Sequence, residues 1–130
     1  RSITDTRKTL WSSWAVTGPE KRFYFAGDTG YFSSFEDIGK QLGPFDVAAM
    51  PIGAYKPTTM MKFSHMDPLE AVEATLDIKA EQVLAIHFGT FDLSDEPLDE
   101  PPVLFKQAAK ARGIAEENTW VFDIGETRVF

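Results

Sequence analysis

Two rhythms of apolar and polar positions alternate along this chain. Leu10 to Val16 is aromatic and half alternating, the period-two pattern of a strand, and Gly18-Pro19 follows as a turn. Arg22 to Ala26 predicts a second, aromatic-rich strand. From Ser34 to Leu42 the period lengthens. Phe35, Ile38 and Leu42 take helical spacing, and Gly43-Pro44 stops the helix. Asp46 to Met50 and Gln82 to Ile86 are short and nearly all apolar, as strands become when helices cover a sheet face. Between them, Asp67-Pro68 predicts the N-cap and first turn of a helix, because proline lacks only an N–H that would go unpaired there. Leu69, Val72 and Leu76 are its expected buried stripe. Pro101 to Arg112 predicts a last helix, with Val103 or Leu104, Ala108 and Ala111 inward and Gly113 beyond its end. Thr119 to Phe122 and Thr127 to Phe130 predict a closing pair of strands around Gly125. The acidic, proline-rich stretch from Leu93 to Pro102 reads as a surface loop.

This order of elements is an α/β pattern. It predicts a mixed sheet with helices on at least one face and antiparallel pairing near both ends. The 130 residues suit one domain with a real core. No apolar run approaches the length of a membrane-spanning helix.

Charge and composition narrow the chemistry. A net charge of −7 disfavours nucleic acid as a partner. Cysteine is absent, which excludes disulfides, thiolate zinc sites and a thiol nucleophile. No Gly-x-Ser-x-Gly elbow, P-loop or dinucleotide fingerprint occurs. With only two histidines, any metal site built by this chain alone would be poor in imidazole.

Three predicted strands nevertheless run into unusual loops. These are Gly27-Asp28-Thr29-Gly30, Pro51-Ile52-Gly53-Ala54-Tyr55 and His87-Phe88-Gly89-Thr90-Phe91. Ligand sites in α/β sheets lie beyond the carboxyl ends of the strands, so parallel strands would bring Asp28 and His87 to one rim. Asp28 reads either as a turn residue or as a carboxylate that its glycines leave open to a ligand. His87 reads as a core histidine or as a metal ligand or acid–base group. His65, just ahead of a helix, either serves the helix entry or faces a substrate anion. Tyr31, Tyr55, Phe88 and Phe91 flank the loops as packing or recognition groups, and Met60-Met61 with Phe63 is core or a lipid-facing patch.

Several of these segments resemble one family. They are Leu10-Trp11-Ser12-Ser13-Trp14, Arg22 to Tyr31, Gly43-Pro44-Phe45-Asp46, Pro51 to Tyr55, His65-x-Asp67-Pro68-x-Glu70-Ala71-Val72, Ala85 to Phe91 and Glu100-Pro101-Pro102. In order and spacing they resemble metallo-β-lactamase-fold hydrolases of the N-acyl-phosphatidylethanolamine-hydrolysing phospholipase D type. The resemblance implies a binuclear metal site, two zinc ions, in a four-layer αββα fold. It makes Asp28 the bridging ligand and His87 the last histidine ligand. His65 stands beside the site, in contact with the phosphate or leaving group, and Tyr55 is a candidate substrate-binding residue. The family's His-x-His-x-Asp-His motif is absent, so the chain is expected to be the C-terminal half of such a sandwich, residues 1–130. The N-terminal half is then the expected partner, as a separate chain or a removed segment.

The implied substrate is a phosphodiester of the N-acyl-phosphatidylethanolamine class. The same fold acting on another ester, amide or nucleotide is the nearest alternative, and a non-catalytic binding or assembly module is the alternative from another class. Peripheral membrane contact and a homo-oligomer stay open, and a cytoplasmic setting is favoured over a secreted one.

Overall fold

The computed structural model describes residues 11–130. Its five strands form one mixed sheet in sequential order. β1 (Trp14–Thr17) is antiparallel to β2 (Arg22–Phe25). β3 (Phe45–Pro51), β4 (Ala80–Ile86) and β5 (Thr119–Trp120) then follow, each parallel to its predecessor. The predicted strand that opens at Leu10 is found from Trp14 onward, and Leu10 itself lies outside the described residues. The antiparallel pairing expected at the C-terminal end is not observed. β5 is parallel to β4, and Thr127–Phe130 forms no strand. That segment folds back instead, placing Phe130 6.2 Å from the Phe23 ring and 6.5 Å from Trp120. Phe130 alone makes these ring contacts, and Val129 stays exposed.

Helix α1 (Phe35–Gln41) joins β2 to β3. The short α2 (Thr58–Met61) and α3 (Pro68–Asp77) lead from β3 to β4, and α4 (Glu100–Ala111) leads to β5. A sheet that grows in one direction through right-handed crossovers places its helices on one face. The core accordingly joins Tyr24, Ala48, Met50, Val83 and Ala85 of the strands to Phe35, Val72 and Phe105 of the helices.

Two predicted helix stripes are corrected. Leu69 and Leu76 are exposed, and α3 buries Pro68, Ala71, Val72, Ala74 and Thr75. Small side chains bring α3 close to the sheet, and the leucines turn outward. Likewise α4 buries Pro101, Phe105 and Ala109, with Ala108 half-buried, while Val103, Leu104 and Ala111 face solvent. The capping prediction holds in full. The Asp67 carboxylate accepts the Glu70 N–H at 2.8 Å, and the Glu70 carboxylate accepts the Asp67 N–H at 3.0 Å.

The opposite face carries no helix among the described residues. Side chains alternate between faces along a strand, so the registered row Trp14, Phe25, Ala49, Leu84, Trp120 shares that face. Trp14 is 63% exposed there, with Val16 and Phe25 also open.

Candidate metal centre

β2, β3 and β4 are parallel, so their three following loops share one rim, as the sequence predicts. After β2, Gly27 turns with φ +72° and presents Asp28. Gly30 then rests against the chain that carries His65. A Cβ on Gly30 would stand 2.8 Å from the Lys62 carbonyl oxygen, and the Met66 N–H donates to the Thr29 carbonyl at 3.2 Å. The buried Met66 and the capping box of α3 anchor the other end of this segment. His65 is therefore held between two fixed points. His87 ends β4 with φ +60°, a left-handed conformation uncommon for a non-glycine residue.

These loops bring three of the four predicted site residues together. Nε2 of His65 lies 3.3 Å from Oδ1 of Asp28, and Nε2 of His87 lies 3.6 Å from the same oxygen. The imidazoles stack 5.7 Å apart. One ligand atom from each of the three residues falls within a 4.8 Å span. The side chains of Asp28, His87 and His65 are 57%, 36% and 19% exposed, so the cluster opens to solvent.

Two imidazole nitrogens and a carboxylate oxygen suit a divalent ion such as zinc. Nδ1 of His65 is buried without a hydrogen-bond partner among the described residues. A ligating histidine normally has its second nitrogen held.

Tyr55 does not join the cluster through its hydroxyl. It is buried, and its O–H donates to Glu100. Burial, followed by that bond, pushes the phenol well above its ordinary pKa. Glu100 also accepts from Lys56 Nζ at 2.6 Å, and these two donors hold its carboxyl below the usual range. Beside His87 opens a cavity of about 320 Å³, walled by Gly53, Phe88, Phe91, Leu93, Leu98 and Pro101.

Sequence reasoning missed Glu96. It is 6% exposed and accepts hydrogen bonds from the N–H groups of Ala54 (2.5 Å) and Lys56 (2.9 Å) and from Ser94 Oγ (2.8 Å). Nothing local separates it from the acidic residues around it. Only the fold, which closes this loop over the turn after β3, reveals it.

Fold and donor cluster together define a metallo-β-lactamase-type α/β unit. Residues 1–88 match the beta-lactamase superfamily domain, and the chain belongs to that family. It is 43% identical over 129 residues to N-acyl-phosphatidylethanolamine-hydrolyzing phospholipase D 1 of Caenorhabditis elegans, covering 97% of this chain and 36% of that protein. It is 35% identical over 133 residues to the mitochondrial N-acyl-phosphatidylethanolamine-hydrolyzing phospholipase D of Saccharomyces cerevisiae, covering 100% of this chain and 28% of that one. Among solved structures, the metallo hydrolase Igni18 of Ignicoccus hospitalis superposes with a TM-score of 0.73 at 31% identity, over 96% of this chain and 48% of its own. The chain thus spans about a third of the length of these curated relatives.

Proposed function

We propose that this chain is the C-terminal half of a metal-dependent hydrolase that splits phosphodiesters of the N-acyl-phosphatidylethanolamine class. The observation that carries the reading is the convergence of Asp28, His65 and His87 on one rim. Asp28 and His87 would hold divalent ions, zinc first among them. The chemistry such ions supply is a lowered pKa for water and stabilised charge on a phosphoryl oxygen.

The chain's own residues have distinct tasks. The Asp28 carboxylate orients the attacking water toward phosphorus. As the new P–O bond forms, the bond to the leaving alcohol breaks, and the proton released by the attacking water passes to the departing oxygen. His65 faces the phosphate and steadies it or the leaving group. Phe88, Phe91 and Leu93 offer the lipid an apolar wall, and the exposed Met60 and Phe63 suit contact with a lipid surface. None of the described helices is long and apolar enough to cross a membrane.

Three donors are too few for two zinc ions, each of which usually takes three protein ligands in a catalytic site. The remaining ligands would come from an N-terminal half, whose sheet would pack on the open row of Trp14 and Phe25. The helix-free face and the share of the relatives' length both support this.

The test is a substrate panel on the full-length protein, comparing N-acyl-phosphatidylethanolamine with lactones and cyclic nucleotides. Turnover of the phospholipid, lost in Asp28→Ala, is expected. Turnover confined to the other substrates would move the reading to another hydrolase of the family. No turnover and no metal uptake would favour a non-catalytic module.

A further inference from the structure

We infer that Glu96 is a positioning residue for His87, acting through the turn at 53–56. The inference rests on the proposed role of His87 as a metal ligand. Glu96 is the buried acid of an otherwise exposed acidic stretch that includes Asp92, Asp95 and Asp99. A buried carboxylate is costly unless hydrogen bonds replace its water. Here burial alone would raise its pKa. The bonds from Ser94 and the N–H groups of Lys56 and Ala54 outweigh burial and hold the carboxyl below its usual range. An anion at that place therefore has three donors, two of them in one turn of backbone.

That turn is not relaxed on its own. Ala54 has φ +64°, a conformation that persists only where its surroundings enforce it. Glu96 grips Ala54 and Lys56 from one side. The Asp95 N–H donates to the Lys56 carbonyl at 3.2 Å, and Glu100 takes the Tyr55 hydroxyl and the Lys56 ammonium.

One residue upstream, Gly53 lies against the histidine. A Cβ there would collide with the His87 carbonyl oxygen and stand 3.1 Å from Cα of Phe88. The Ile52 N–H donates to the Ile86 carbonyl at 3.0 Å, closing the same contact from the strand side. His87 is itself left-handed, so its ring direction depends on a backbone that needs external support. The turn at 52–56 supplies that support, and Glu96 fixes the turn without touching the imidazole.

The experiment uses the full-length protein with Glu96→Ala, Glu96→Gln and, as a control for lost stability, the core truncation Val72→Ala. Zinc affinity is read by chelator competition, the ligand field by the visible spectrum of the cobalt(II) form, and backbone order by hydrogen exchange of 86–89 in metal-free protein. Glu96→Ala should weaken zinc about 10–100-fold, the usual cost of losing a partner that orients a ligand. It should also change the cobalt spectrum and speed exchange at 86–89. Glu96→Gln, keeping one acceptor oxygen, should fall between, and it carries the test if the alanine variant does not fold. Val72→Ala should melt lower with zinc affinity unchanged. Unchanged exchange and affinity in the Glu96 variants would overturn the inference. If the parent protein takes up no zinc, the metal reading fails, and exchange at 86–89 still decides the positioning claim.

Discussion

Asp28 and His87 follow strands that never pair, since β3 separates β2 from β4, yet His87 Nε2 lies 3.6 Å from Asp28 Oδ1. The rim that joins them requires parallel strands and two loops that curl inward. Gly27 at φ +72° and His87 at φ +60° provide the curl. Replacing Asp28 by Ala in the full-length protein should therefore remove an acceptor that both imidazoles face. Metal content and hydrolysis should fall by more than the ~100-fold that loss of an outer partner can cost. Metal analysis and initial rates check this, and a variant with parental metal content would contradict the assignment.

The isolated chain should bind zinc weakly or not at all. Among the described residues only Asp28, His65 and His87 gather as donors, and the second nitrogen of His65 has no hydrogen-bond partner there. Zinc sites normally bring three or four protein ligands. Elemental analysis after dialysis is the measurement, and stoichiometric zinc retained by this chain would show that His65 completes a competent site.

How much of this was legible beforehand depended on how local each signal was. Asp67-Pro68 is a contiguous capping signal, and the structure has Asp67 as N-cap with Pro68 in the first turn; the reciprocal Glu70 bond emerges only there. Asp28 and His87 were visible because each ends a short apolar run at a glycine-rich loop. The stripe of α4 differs from its expected one by a residue of phase, with Phe105 and Ala109 buried in place of Leu104 and Ala108. That of α3 differs because leucine ranks above alanine in apolarity. Close helix-to-sheet approach reverses that ranking, leaving Leu69 outside and Ala71 within. Glu96 could not be read at all, since its donors Ala54 and Lys56 reach it only after β3 and β4 are paired.

Two glycines should separate fold stability from site geometry. In α1, a Cβ on Gly39 would strike the Asp77 carbonyl, and on the rim a Cβ on Gly53 would strike the His87 carbonyl. Forcing a methyl into packed backbone costs about 1–3 kcal/mol, less up to about 1 kcal/mol of helix propensity regained at Gly39. Both alanine variants should lower the denaturation midpoint. Gly53→Ala should also weaken metal binding, whereas Gly39→Ala should leave it intact. Equal loss of metal in both would mean that the rim merely reports global stability.

Acid should loosen the turn at 54–56 before the core. The hydrogen bonds to Glu96 depress its carboxyl in the folded state, so the unfolded chain binds that proton more readily. A depressed pKa contributes stability that is fully present above the ordinary carboxylate range and is lost as pH falls through the folded value. Protonation turns one acceptor oxygen into a donor, which then faces an N–H of Ala54 or Lys56. Hydrogen exchange of 54–56, followed from neutral pH into the acid range and corrected for intrinsic rates, should accelerate ahead of β3 and β4. Glu96→Gln should already exchange quickly at neutral pH and lose most of that pH response. If 54–56 and the central strands opened together at every pH, the Glu96 clamp would have no stability of its own to lose.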